Sequence, residues 1–379
     1  MEPTETLATL RLLISGIVTN ARLGRLLVGR QLRVADLPSV SHQSLLDSGF
    51  SRAGATEIQR IAAGQCAERL SNAGVEIFAA TLDEGAKPIT LADPAYPVLL
   101  KQIYDPTALL FVKGRVELLG EFCVAMVGSR KASTRAKRFT RWLAAELAGQ
   151  GLTVVSGLAR GVDCNAHTGA LETGNTIAVI GTGIDVYYPK ANRALQQQLE
   201  NEALVITEFF PGAPPRAVQF PQRNRLISGL SLGTIVVEAT VRSGSLITAR
   251  FASEQGREVF AVPGQVDREQ SRGGHQLLRD GATLVESAGD VIAGLPISGL
   301  MKLHESTRPD VSPKLSQPNN TRTEKLERSL LRRIAAFENL PQDLMGSENL
   351  TAGELNTVLL KLELAGKVEN RDGRIYLRD

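Results

Sequence analysis

Apolar residues recur at helical spacing at the start of the chain, with Leu7, Leu10, Leu13 and Ile14 on one stripe. Breaks at Gly16, Pro38, Gly49 and Gly74 cut the pattern into short pieces, so residues 1–70 predict a small helical domain. Its outline is that of a SAM or helix-hairpin-helix bundle. A hairpin near Ser15–Arg22 would touch DNA backbone, but the Gly-x-Gly such hairpins use is absent, which favours a structural bundle. From Val75 to Leu295 the period changes. Near-continuous apolar runs at Phe122–Val127, Thr153–Ser156, Thr176–Ile180, Leu204–Glu208, Thr234–Val237 and Val259–Val262 alternate with amphipathic stretches such as Phe139–Gln150 and Leu246–Gln255. Apolar strands separated by helices predict a parallel sheet covered on both faces, hence a doubly wound, Rossmann-like α/β core over residues 71–297.

Residues 298–322 carry Pro309, Pro313 and Pro318 with few apolar side chains and predict a flexible linker. Over 323–379 a helix resumes at Glu324–Phe337. A second opens at Thr351 with Glu354 as its capping-box partner, and a hairpin over Val368–Leu377 turns at Asp372-Gly373. Helix, helix, hairpin is the outline of a winged helix. From Arg322 onward ten Lys/Arg balance ten Asp/Glu, and the expected recognition helix offers Lys361 as its cation. Duplex readout calls for a basic, polar helix, so this segment reads as a protein-contact or weakly DNA-binding module.

Composition narrows the partner rather than the fold. A formal charge of +3 over 379 residues is mild, so any nucleic-acid surface is a local patch. Aromatic residues make up 4% of the chain, which makes Phe220 and Trp142 scarce features. Cys66, Cys123 and Cys164 are odd in number and without CxxC spacing, the pattern of a reducing cytoplasm rather than of disulfides or zinc. The first residues lack a basic, cleavable leader pattern, and no uncharged run reaches membrane-spanning length.

The predicted strands end in small-residue loops: Gly128-Ser129-Arg130, Ser156–Gly161, Gly181-Thr182-Gly183 and Pro263-Gly264, with Ser243-Gly244-Ser245 a few residues beyond Glu238. In a parallel doubly wound sheet these lie along one edge, where ligands bind, and the following helices would offer N–H groups to an anion. Arg130, Lys131, Arg135, Lys137, Arg138 and Arg141 crowd the first loop and the helix after it with no acid among them. Such a run opposes the helix dipole, and a polyanion would offset the cost; a solvated basic face is the other reading. The segment Phe220-Pro221-Gln222-Arg223-Asn224-Arg225 adds a ring for stacking and two guanidinium groups for phosphate or base.

Other chemistries lack their residues. The first loop has no Gly-x-Gly-x-x-Gly for a dinucleotide, no P-loop lysine motif occurs, and nothing calls for a cofactor or a metal. Asp163 and His167 stand four apart on one helix; the reading preferred to a catalytic pair is that Asp163 caps the helix and His167 packs or hydrogen-bonds within it.

Taken in order, Val127–Arg130, Ser156–Asp163 with Ala166-His167, Ile177–Asp185 with Tyr188-Pro189, Phe220–Arg225, Ser243–Ala249 and Phe260–Gly264 resemble the DNA-processing protein A family (DprA, also called Smf). Tyr96-Pro97 and Asp105-Pro106 extend the likeness upstream. The resemblance implies a non-catalytic, cytoplasmic single-stranded DNA-binding protein that protects incoming strands in natural transformation and loads the RecA recombinase, with a homodimeric core. By motif, Gly128, Ser129 and Arg130 would hold a phosphate or base, while Phe220, Arg223, Asn224 and Arg225 lie on the strand's path. Lys137, Arg160, Arg216, Ser243 and Ser245 complete the candidate contacts. Two positions depart from the pattern: Ala217, beside Arg216, replaces a frequent lysine, and Gly273-Gly274-His275 replaces Gly-Thr-Asn or Gly-Cys-Asn. Two alternatives remain. One is a Rossmann-like nucleoside-monophosphate glycosidase, which would want Pro-Gly-Gly-x-Gly-Thr-x-x-Glu at a helix start; here Gly233-Thr234 precedes a strand and Glu238 ends it. The other is a winged-helix DNA-binding regulator.

Overall fold

The computed structural model describes residues 3–296, Leu362, and the strand residues 368–371 and 374–377. The chain divides into two compact units, Met1–Lys302 and Leu303–Asp379. In the second, β10 (Val368–Arg371) and β11 (Arg374–Leu377) pair antiparallel, as the hairpin pattern predicts. The remainder of the expected winged helix and the expected linker lie outside the described residues.

The first unit opens with five helices: α1 (Pro3–Ile14), α2 (Asn20–Gly29), α3 (His42–Asp47), α4 (Arg52–Ala62) and α5 (Glu68–Asp83). Thr19, Ser41 and Ser51 cap α2, α3 and α4 by accepting from the backbone N–H three residues on. The boundary expected at residue 70 falls inside α5. Helices and strands then alternate: β1 (Lys87–Thr90), α6 (Val98–Lys101), β2 (Leu109–Gly114), β3 (Cys123–Val127), α7 (Thr134–Gly149), β4 (Thr153–Ser156), α8 (Val162–Thr173) and β5 (Thr176–Val179). There follow α9 (Arg193–Glu202), β6 (Leu204–Thr207), α10 (Gln219–Gly229), β7 (Gly233–Val236), α11 (Gly244–Glu254), β8 (Glu258–Ala261), α12 (Glu269–Arg279), β9 (Thr283–Leu284) and α13 (Ala288–Gly294).

The nine strands form one sheet in the order β1-β2-β6-β5-β4-β3-β7-β8-β9. From β6 to β9 all neighbours are parallel, as expected of a doubly wound core. Successive side chains of a strand point to opposite faces, and β3 shows it. Ala125 and Val127 enter one hydrophobic cluster, Val124 and Met126 the other, and all four are buried. The wholly parallel expectation needs one correction: β1 pairs antiparallel with β2, and β2 antiparallel with β6. Antiparallel neighbours need no crossover helix, so the strand–helix rhythm that marks the other strands is missing there.

The N-terminal helices do not stand apart from this sheet. Leu12, Leu23, Leu26 and Ile58 belong to the same buried cluster as Ile89, Leu110, Val112 and Ala125. Asn20, the first residue of α2, acts as a surrogate strand partner. Its amide donates to the Leu109 carbonyl at 2.9 Å and the Glu208 carbonyl at 3.3 Å, and its Oδ1 accepts from the Leu109 N–H at 2.9 Å.

The chain winds from β3 outward through β4, β5 and β6, then returns by α10 to start again at β7 on the other side of β3. The carboxyl ends of β3 and β7 therefore form the topological switch point, the place where such sheets open a crevice. Replacing Asn20 by alanine strands the Leu109 N–H among buried groups, a loss of about 1–3 kcal/mol. Denaturant unfolding should show it as a lower midpoint, and amide exchange should show faster exchange at Leu109; an unchanged midpoint would mean the docking does not rest on this side chain.

Candidate nucleic-acid interface

A depression of about 760 Å³ opens at the switch point, lined among others by Gly128, Ser129, Arg130, Lys131, Tyr188, Phe220, Arg223, Asn224, Ser243 and Ser245. The structure thus gathers eight of the twelve expected contacts into one place. Phe220 is half-buried on the first turn of α10, rather than in a surface turn. Its ring rests on the backbone of Gly181, where an added Cβ would lie 2.9 Å from the ring. The Arg130 guanidinium stands 5.6 Å from the ring centroid, and the Tyr188 ring lies 5.4 Å away, tilted by 37°. Arg130 is exposed, so this is a cation and two aromatic rings at the mouth of a cleft. Tyr188 was visible in the sequence as part of Tyr188-Pro189, but nothing in its spacing pairs it with Phe220.

Helical geometry sorts the rest of the segment. Residues four apart share a face, so Asn224 joins Phe220 at the cleft, where its amide donates to the Gly244 carbonyl at 3.3 Å. Arg225 turns away. Its guanidinium holds both oxygens of Glu208 at 2.6 Å, the two side chains 9% and 8% exposed, and it lines a different depression together with Arg216. That ion pair is buried and geometrically complete, so Arg225 supports α10 against β6 instead of meeting a strand's path. Lys137 and Arg160 are exposed outside the cleft lining.

Arg223 lies under the cleft floor, 4% exposed. It donates to the Gly157 carbonyl at 2.9 Å and to the Val179 carbonyl, and so joins the loop that follows β4 to the last residue of β5. Burial brings its pKa down to about 10, against the attraction of Asp163 and with the repulsion of Arg130. Asp163 is pushed up by the same burial and held down by Arg223. This carboxylate accepts from the Ala159 N–H at 3.2 Å; the N-cap of α8 is Gly161, so the expected capping role of Asp163 is corrected. His167 bonds across to β5 rather than within its own helix. Thr176 Oγ1 donates to the Val154 carbonyl at 2.6 Å, which leaves it to accept from His167 Nδ1 at 2.7 Å. Burial, aided by Arg223, lowers the His167 pKa to about 3, so the ring is neutral.

The expectation of free helix N-termini also changes. Ser133 caps α7 and Ser243 caps α11, each accepting from a backbone N–H of its own helix. Ser133 in turn gives its N–H and hydroxyl to Glu238 at 2.8 and 2.7 Å. Glu238, distant in sequence, supplies the acid that the basic run lacks locally. At α7 and α11 the positive charge toward the cleft comes from side chains, whereas α8 begins after Gly161 without a side-chain cap. Among the described residues no carboxylate pairs with Lys131, Arg135, Lys137 or Arg138, while Arg141 is held by Glu172. No helix of the described residues is long and apolar enough to cross a membrane.

Residues 87–296 match the family described as DNA recombination-mediator protein A. DNA processing protein DprA of Streptococcus pneumoniae is 49% identical over 205 residues, which is 54% of this chain and 72% of the relative. Protein Smf of Synechocystis is 34% identical over 316 residues, 76% of this chain and 79% of the relative. The X-ray structure of the Streptococcus pneumoniae protein superposes with a TM-score of 0.64 at 39% identity, covering 75% of this chain and 96% of that one. A structure of DNA processing protein A from Helicobacter pylori, solved to describe its single-stranded DNA binding mode, gives 0.50 at 31% identity over 55% of this chain and 94% of that one.

Arg223→Ala should destabilise the core by about 3–5 kcal/mol, because it strands the buried Asp163 charge and two carbonyls. In an Asp163→Asn background the same substitution should cost clearly less, since the uncompensated charge is gone. Equal costs in the two backgrounds, measured by urea unfolding, would show that the two groups do not act together.

Proposed function

The chain belongs to the DNA recombination-mediator protein A family, and from that premise we propose that its switch-point cleft binds single-stranded DNA. The observation that carries the reading is the exposed Arg130 guanidinium beside the Phe220 ring, with the unpaired Lys131 on the same lip. A phosphodiester strand presents charges and flat bases in alternation, and this lip offers a cation and stackable rings within one reach. Gly128 and Ser129 give the strand access to backbone, and Asn224, Ser243 and Ser245 add hydrogen-bonding groups to the lining.

Binding of this kind is sequence-tolerant, because every base has a face to stack and every phosphate carries the same charge. Lys137, Arg160 and Arg216 serve as outlying phosphate contacts. Arg223 and Arg225 act from beneath: they hold the loops and α10 in place and do not neutralise phosphate. No chemical step follows binding. Glu238, the residue a glycosidase reading would need, is committed to both donors of Ser133. In the cell the protein works as a homodimer through its core, covers incoming single strands in natural transformation and recombination, and hands them to the RecA recombinase.

Arg130→Ala and Phe220→Ala separate the two contributions. Losing one phosphate contact should reduce the slope of log K against log salt by roughly 0.7 for a single strand. Losing a stacked ring should weaken binding by about 1–3 kcal/mol and leave the slope nearly unchanged. An abasic oligomer should bind the wild type more weakly and lose little more with Phe220→Ala. Equal sensitivity of abasic and normal strands to that substitution, with a lowered melting temperature, would make Phe220 a packing residue.

A further inference from the structure

We propose that the outward face of α7, centred on Trp142, is a second stacking position for the single strand whose first contact is at Phe220. The inference rests on the reading above and extends it to a face that no expected contact covers beyond Lys137.

Trp142 is the chain's one tryptophan and is 45% exposed. Its ring is nonetheless held in place: it lies 5.4 Å from the Phe139 ring at 52°, and Phe139 packs on the hydrophobic cluster beneath α7. A flat ring already held in one orientation can take a base at little further ordering cost. The opposite side of the helix, with Thr140, Leu143, Ala144 and Leu147, is buried, so the outward direction of Trp142 follows from the helical period.

The neighbours of the ring choose the ligand. Arg135, Arg138 and Trp142 fall at i, i+3 and i+7 on one stripe, which the exposed Glu146 continues one turn past the ring, and among the described residues no carboxylate pairs with Arg135, Lys137 or Arg138. A protein partner covering Trp142 would have to desolvate several unpaired cations or answer each with an acid. A single strand answers them with its own phosphates and brings a base to the ring.

The path to this face is continuous with the first cleft. A second depression of about 770 Å³ lies beside it, lined by Arg135, Phe139 and Arg268 among others, and Gln270 lines both. Two acids also border it, Glu238 held by Ser133 and the exposed Glu286, so the strand is expected on the Arg135 and Phe139 side. From Ser133 to Trp142 the helix rises about 14 Å at 1.5 Å per residue. At the spacing of a stacked strand, about 3.4 Å per phosphate, some four nucleotides span it.

Because Trp142 is alone, its emission reports this face directly. The full chain is titrated with labelled long oligo-dT and with a dT trimer, while anisotropy of the label measures binding independently. Long oligo-dT should quench Trp142 and shield it from acrylamide in step with the anisotropy, whereas the trimer should bind at the cleft without quenching. Trp142→Ala should weaken the long strand about fivefold to a hundredfold and leave the trimer unaffected, and Trp142→Phe should restore most of the loss. A rise in anisotropy with unchanged Trp142 emission would overturn the proposal and leave the cleft reading intact. No anisotropy change with either strand would overturn the cleft reading itself. If Trp142→Ala instead turned a dimer into monomers by light scattering, with strand affinity per chain unchanged, the face would be a contact between copies and the proposal would fall.

Discussion

The cleft is organised around the buried guanidinium of Arg223. A charge taken out of water has to be met by partners on the spot, and Arg223 meets the Gly157 and Val179 carbonyls with Asp163 as the neighbouring anion. Those partners are the first loop residue after β4 and the last residue of β5, so the side chain fixes the ends of two neighbouring strands against α10. Room for it comes from Gly157, where an added Cβ would stand 2.8 Å from both the Arg223 guanidinium and the Asp163 carboxylate. The Phe220 ring is placed by the same helix one turn earlier, so it inherits its position from the buried charge below it.

This arrangement divides the cations by depth. Arg223 and Arg225 are inside, each spent on protein acceptors, and they hold the scaffold. Arg130, Lys131, Arg135, Lys137 and Arg138 are exposed, and among the described residues no carboxylate pairs with them. The division follows from elementary helix geometry: at 3.6 residues per turn Phe220 and Asn224 share a face with Arg223 beneath them, while Arg225 is turned to β6. Glu238 completes the pattern. By accepting from Ser133 it anchors the start of α7, and so holds the basic run at the mouth of the cleft even though that run opposes the helix dipole.

Much of this was legible in the sequence. Near-continuous apolar runs such as Phe122–Val127 and Leu204–Glu208 read as strands buried on both faces, and the small-residue loops marked their carboxyl ends. The gathering of Gly128–Arg130, Phe220, Asn224 and Ser243 at one edge follows from that topology. What escaped sequence reasoning depends on pairings between distant residues. Neither Glu208 with Arg225 nor Glu238 with Ser133 leaves a local signal, so Arg225 looked free although it is not, and α7 looked short of acid. The strands β1 and β2 escaped for another reason: one is four residues long with Pro88 inside, and neither feeds a crossover helix. The helices expected within 323–379 fall outside the described residues, apart from Leu362.

The central claim is that a polyanion with accessible bases occupies the switch-point cleft, and competition between single and double strands tests it most directly. Oligo-dT and a matched duplex are titrated against the purified full chain at two salt concentrations. The account predicts tighter binding of the single strand, with affinity falling as salt rises because neutralised phosphates release their counterions, and with bases exposed for stacking only in the single strand. Equal affinity for the duplex, or single-strand binding indifferent to salt, would contradict it.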